Sequence, residues 1–493
     1  MEKVAANDPN SHFTRLGSEP VFKLLIEFSI PALIGLVVQA LYNIVDAIFV
    51  GHGVGELGLA ATTVSFPAMT AMIAVSFLMG FGGNSLAAIR LGESKKDEAE
   101  KILANTLVLL IVGYIVSLIP ALIFLDELLI LSGADEAVLP YARDFMLIIL
   151  LGGIFQVVSY GLNNFIRTSG YPKIALATML VGIAVNVVLG YLFVLVFDWG
   201  MKGAAWATVI AWLVSTIAVA IFFISKYSPL RFKLENFKLN AHRVLRIISL
   251  GVPQAALQLA MAVINVVENN LITMYGQTDP VMGVAGGLAA MSVLSRVGFL
   301  SIVPALGFAQ GAQPILGFNY GAKNFERIIS TVKQAIGISA IIMTLFWLTI
   351  LFVPEFYVRL FGLDGAHVEY TSFALILYLI FLPVISFQII GSNYFQATGQ
   401  ALKATILTLT RQIIFLIPLL IITPMIAPSL IGLTEMQSIF FAASLSDITS
   451  ALVVAAFIFP EVKKLRRWSE EYHPLKQAQE LEKLQETAEN YKN

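Results

Sequence analysis

The run Phe28-Ser-Ile-Pro31-Ala-Leu-Ile-Gly-Leu-Val-Val-Gln39-Ala-Leu-Tyr42-Asn-Ile-Val-Asp46-Ala-Ile-Phe-Val50 places an aspartate fifteen residues after a proline, inside one apolar stretch. About 20 apolar residues in a helix cross the roughly 30 Å of a bilayer core, so the run reads as a membrane span. A carboxylate within such a span costs roughly 2.5–3.5 kcal/mol on insertion scales, which marks Asp46 as a functional residue. The pattern returns as Pro253 and Glu268, again fifteen apart within an apolar run. A membrane acid at the same place in two halves of a chain suggests a duplicated machine with ion-binding work.

Working outward, the composition agrees. The chain has 493 residues, 58% hydrophobic and 13% charged, against about 25% charged in an average soluble domain. Twelve apolar spans are expected at about 23–50, 57–90, 98–125, 137–166, 172–197, 202–225, 244–274, 281–318, 323–352, 366–397, 401–424 and 433–459. The fold class is therefore an all-α polytopic membrane protein. Met1 to Pro20 is polar and lacks a signal-peptide apolar region, so the first run is expected to remain as a span. A net charge of −1 gives no reason to expect nucleic acid. With no cysteine, disulfides, thiolate metal sites and cysteine nucleophiles are excluded.

Lys and Arg fall on alternate loops. One set holds Arg90, Lys95, Lys96 and Lys101; Arg167 and Lys173; Lys226 to Arg246; Lys323 and Arg327; Lys403; and Lys463 to Arg467. The opposite loops carry little beyond Lys202 and Arg359. The asymmetry predicts an integral plasma (inner) membrane protein with both termini cytoplasmic. In the polar tail after Glu461, Leu475, Leu481 and Leu484 could line a short helix, and Arg466, Arg467 and Trp468 suit a membrane surface. A solvated tail fits equally well.

An internal repeat is the second strong signal. At a shift of 229, Gly82 meets Gly311, Gly92 meets Gly321, Gly133 meets Gly362, Asn164 meets Asn393 and Gly170 meets Gly399. Earlier in each half the shift is 222, matching Pro31 to Pro253 and Asp46 to Glu268. Six spans per half is an even number, so the repeats are parallel. The expected organisation is an N-lobe with its linker (1–240), a C-lobe (241–460) and a tail (461–493), the two six-helix lobes enclosing a central cavity.

Machinery for hydrolysis is missing. There is no Walker A run, no His-Glu-x-x-His and no Gly-x-Ser-x-Gly. His12, His52, His242, His367 and His473 sit at or outside span ends and form no cluster. No enzymatic activity and no resident cofactor are expected. Uphill transport would draw on an ion gradient.

Three stretches resemble the multidrug and toxic compound extrusion (MATE) family of the flippase-like exporter superfamily. They are Gln39-Ala-Leu-Tyr-Asn-Ile-Val-Asp46-Ala-Ile-Phe-Val-Gly51, Gly203-Ala-Ala-Trp-Ala-Thr208 and Gln310-Gly-Ala-Gln-Pro-Ile-Leu-Gly-Phe-Asn-Tyr-Gly-Ala-Lys323. The resemblance covers residues 20 to 460. It implies two six-helix lobes and cation-coupled export of organic, often cationic, compounds. It also implies an N-lobe cation site on Asp46, Asn186 and Thr208. Where many members add a second aspartate, this chain has Gly190.

Depth is compatible with that site. At 1.5 Å per residue Asp46, Thr208 and Asn186 lie about 6, 9 and 16 Å from the far ends of their spans. One carboxylate with neutral oxygens suits a hard cation such as Na⁺, and a desolvated carboxylate equally suits a proton, so both ions stay open. Glu268, Arg296, Arg411 and Asp447 fall within C-lobe spans and sum to zero charge. They read either as a buried paired network or, for Glu268, as a second coupling acid. Pro31 can kink the first span and shift Asp46, or merely bend it. Tyr42, Asn163, Asn164, Gln258, Gln310 and Asn393 are candidates to line the cavity, or to bond helix to helix. The expected function is a secondary antiporter for amphipathic or cationic organic compounds in exchange for H⁺ or Na⁺. A flippase for a lipid-linked precursor is the alternative. The partners are a small organic substrate and membrane lipid, and the protein is expected as a monomer.

Overall fold

The structure, a computed structural model, describes residues 9–490, with side chains from 13 to 472. His12, His473, Leu475, Leu481 and Leu484 lie outside the described side chains. Eleven helices among these residues are long and apolar enough to span a membrane. They are Val21–Gly53, Glu56–Gly92, Lys96–Ile123, Leu139–Thr168, Pro172–Val196, Gly200–Ile224, Ala241–Gly276, Gly283–Gly321, Phe325–Phe352, Ala401–Ile431 and Glu435–Tyr472. The tenth span is a pair, Ala366–Leu379 and Leu382–Ala397, bent by 40°. Pro383 opens its second half, where a fixed φ and a missing N–H favour a restart. With it the spans number twelve, and they are numbered below in chain order.

Several ends differ from the sequence expectation. Span 11 runs on to Ile431, and span 12 belongs to one continuous helix, Glu435–Asn490. No glycine or proline stop separates the last apolar turn from the charged tail, apart from Pro460, which the helix absorbs. Pro31, Pro67, Pro253 and Pro304 also lie inside unbroken helices. Spans 5 and 11 each contain a π-helical turn, Tyr191–Val196 and Thr410–Leu416.

The two lobes join at the end that carries the basic loops. One hydrophobic core runs through the N-lobe and on into Ile247, Leu250, Phe308, Ile315, Phe395 and Ile458 of the C-lobe. The remainder of the C-lobe, toward the far end, has a separate core around Ile272, Leu294, Leu375 and Phe440. The described hydrogen bonds between lobes all sit at the basic end, among them Gln313 Nε2 to Ser85 Oγ at 3.0 Å and Arg243 Nη1 to Asn105 Oδ1 at 3.2 Å. The linker is clasped there too. Asn105 Nδ2 donates to the carbonyl of Asn236 at 2.9 Å, and Lys233 pairs with buried Glu100 at 2.6 Å.

Glycine permits this join. A Cβ on Gly82 would overlap the Ile247 carbonyl, and one on Gly311 would overlap Ser29. Likewise Gly92 abuts the Phe318 carbonyl and Gly321 the Ile89 carbonyl. These are the glycines paired by the repeat. Each meets the opposite lobe at an equivalent place, so span 2 crosses spans 7 and 8 as span 8 crosses spans 1 and 2.

Candidate functional site

The lobes are packed together at the basic end, and each lobe has its own cavity. The N-lobe cavity, about 220 Å³, is built from spans 1, 2, 4, 5 and 6. Leu36, Phe77, Phe81, Met179, Ile183 and Trp212 form its apolar wall. Gln39, Tyr42, Tyr160, Asn163, Asn164, Asn186 and Arg167 supply its polar groups, and Gln310 reaches in from span 8.

Asp46 lies one helical turn beyond Tyr42, which lines this cavity. Among the described residues it makes no hydrogen bond and no ion pair. One turn earlier, Tyr42 reaches across to Thr208 and lies in the field of Asp46. Thr208 accepts from Asn186 Nδ2 at 3.1 Å and donates to the Ala204 carbonyl at 3.0 Å. Asn186 and Thr208 are both buried, and Asn186 Oδ1 has no hydrogen-bond partner. Phe49, three residues after Asp46, packs against Gly190, four after Asn186, which sets spans 1 and 5 in register. The structure thus joins Asn186 to Thr208 and places Tyr42 near both Thr208 and Asp46. The donor set is one carboxylate, an orphaned amide oxygen and two hydroxyls, all oxygen, which suits a hard monovalent cation or a proton. At Gly190 an added Cβ would stand 3.1 Å from the Phe49 ring, so a second acid there would have to displace that ring.

The other polar candidates divide. Asn163 lines the cavity while donating to Thr178 Oγ1 and the Ala175 carbonyl, each at 2.9 Å. Asn164 and Gln310 also line it, both as acceptors for Arg167 Nη1, at 3.4 and 2.6 Å. Asn393 instead spends its amide on the Ala309 carbonyl at 2.7 Å, between spans 10 and 8. Gln258 is half-buried and lines neither cavity. Arg167, read from the sequence as a loop charge, is inside span 4 and only 6% exposed. Four residues of helix follow Asn164, to Thr168, which is enough to keep the guanidinium under the lobe. Gln39, the first residue of the family-like stretch, accepts from Tyr160 at 3.2 Å.

In the C-lobe, Glu268, Arg411 and Asp447 share a cavity of about 160 Å³ with Tyr378 and Gln412. Arg411 Nε donates to Asp447 Oδ1 at 2.6 Å. Glu268 is 5% exposed and belongs to no ion pair within 4 Å among the described residues. Arg296 does not join this group, contrary to the four-residue grouping drawn from depth alone. It is exposed, because the face of span 8 that lines the cavity carries Ser295, Gly298 and Phe299 instead. The described residues contain no group of three or more His, Cys, Asp or Glu side chains placed to hold a metal.

Comparison with known proteins agrees with this architecture. The chain is 23% identical to the multidrug export protein MepA of Staphylococcus aureus (strain MRSA252) over 436 residues, 88% of this chain and 94% of that protein. It is 25% identical to MepA of Staphylococcus haemolyticus (strain JCSC1435) over 415 residues, 84% and 88% of the two chains. A solved outward-facing multidrug resistance MATE family transporter superposes with a TM-score of 0.83 at 25% identity, over 92% of this chain and 98% of that one. A MOP superfamily transporter from Pyrococcus furiosus, described as having a binding pocket of reverse polarity, gives the same figures. The MatE family model matches residues 31–192 and 285–422, the body of both lobes. This twelve-span integral membrane chain belongs to the MatE family and is a multidrug and toxic compound extrusion transporter.

Proposed function

We propose that the protein is a secondary antiporter that expels amphipathic organic compounds in exchange for an inward H⁺ or Na⁺. The observation that carries this is Asp46: a membrane acid without a hydrogen bond or ion pair among the described residues, close to Tyr42, which lines an apolar cavity large enough for part of a drug-sized molecule. A carboxylate in that setting is stable when it holds a positive charge and costly when it does not. A cation that binds one arrangement of the lobes better than the other shifts their equilibrium by the ratio of its affinities. Tyr42 is the natural go-between, since it lies in the field of Asp46 and lines the cavity. Glu268 is a second place where one positive charge could be taken up, because Arg411 is already engaged by Asp447. The charge bias of the loops supports a plasma-membrane protein with both termini in the cytoplasm.

The test is dye export from proteoliposomes under separately imposed proton and sodium gradients. Asp46→Asn should insert and fold normally and lose gradient-driven export. Full export by that variant would remove Asp46 from the coupling step. The flippase alternative asks for a strongly charged cavity, and the N-lobe cavity has a single formal charge, Arg167. Translocation of a fluorescent lipid, with no movement of soluble dyes, would reverse that choice.

A further inference from the structure

The helix Pro9–Ser18 precedes the N-lobe but docks on the C-lobe. Glu19 and Pro20 join it to span 1. Phe13 lies against Phe318 of span 8, ring centroids 6.3 Å apart. Leu16 is fully buried. Gly17 is so near the same ring that an added Cβ would stand 2.8 Å from it. The C-lobe also caps the end of this helix. Asn319 Nδ2 donates to the Leu16 carbonyl at 2.9 Å, and Arg327 Nη2 donates to the carbonyls of Leu16, at 3.1 Å, and Glu19. A cation at the carbonyl end of a helix is favourably placed.

On its other side the helix is tied to its own lobe. Arg15 pairs with Glu19 at 2.6 Å and with Glu27 of span 1 at 2.8 Å. Helix and span 1 therefore form a braced elbow. Two residues of chain reach at most about 7 Å. If the N-lobe swings away at the basic end, the elbow cannot stay seated on Phe318.

We propose that residues 9–20 are a strap that holds the lobes shut at the basic end, with Arg327 as its catch. The strap is docked when that end is sealed and undocked when it is open, so it favours the state with the far end open. The proposal rests on the reading of the protein as an exporter whose lobes rock. A group engaged in only one of two states biases their ratio.

The chain has no cysteine, so introduced thiols are unique. Spin labels on Glu56→Cys and Gln277→Cys, exposed at the far ends of spans 2 and 7, report the opening between lobes by pulsed EPR. Arg327→Ala should lower the ratio of long to short distances about tenfold, the scale of a lost charge-assisted hydrogen bond. Phe13→Ala should shift it the same way. Unchanged distance distributions in both variants would overturn the strap. A second arm does not depend on those variants folding. Gly17→Cys with Phe318→Cys puts two thiols where ring and glycine now touch, and a short cleavable bifunctional thiol reagent joins them. Export should stop on joining and return on reduction; export that continues while joined would also overturn the proposal. The EPR arm reads lobe position whether or not the solute or coupling ion has been identified correctly, so the two readings fail separately.

Discussion

Asn186 shows what a single side chain does at the candidate site. Its amide nitrogen is committed to Thr208, which fixes the orientation of the group, and its oxygen is left without a partner in a buried place. Burying such an oxygen costs about 1–3 kcal/mol unless something binds it, and a coupling cation would. Asn186→Ala should raise the ion concentration needed for half-maximal export about tenfold, with maximal export largely retained, as loss of roughly 1.4 kcal/mol of ligation implies. Asp46, Asn186 and Thr208 are candidates that the family resemblance names, and the depth of each along its span is compatible with them. Arg167 was not legible in the sequence, since an arginine near a helix end looks like a loop charge until the packing above it is known. Arg296 failed for the complementary reason. Depth along a span says nothing about which face of the helix a residue occupies.

Helices set what these residues can reach. The π-helical turn Thr410–Leu416 carries Arg411 at its second position and presents it to Asp447 on span 12. Such turns often accompany functional sites. Removing one member of a buried ion pair leaves the other unneutralised, at a cost of about 3–5 kcal/mol, whereas replacing both with apolar groups is often tolerated. Arg411→Met should therefore lower the thermal unfolding midpoint of the detergent-solubilised protein clearly. The double variant Arg411→Met with Asp447→Leu should recover most of the loss. Outside the membrane, Arg15 holds the Glu19 carboxyl below the usual carboxylate range by hydrogen bonding. The ionised form that braces the strap elbow is thus present above the ordinary carboxylate pKa and is lost only as pH falls through the lowered one. Far-end EPR distances should accordingly be insensitive to this group from about pH 8 down to about pH 5. The number and type of elements followed from apolar run length. The π turns, the 40° break and the long last helix did not, because they depend on which backbone groups neighbouring helices can satisfy.

At the scale of the whole molecule, the basic-end join is made of backbone contact, and four glycines permit it. Gly82→Leu would push span 2 off span 7. That variant should hold the basic end ajar, lose most export and show shortened far-end EPR distances, without loss of Asp46 or its neighbours. The duplicated architecture was readable from the spacing of these glycines, although nothing in the spacing said that they were contact points. Their placement also constrains how the two halves can change over time. Gly82 and Gly311 are matched positions of the internal repeat, and each presses on the opposite lobe: neither half could acquire a bulkier residue there without disturbing the other. The descendants of a duplication are usually free to drift apart, but at these four positions they remain bound to a shared geometry, and swapping the halves of this chain for those of a relative should succeed only when both surfaces are exchanged together.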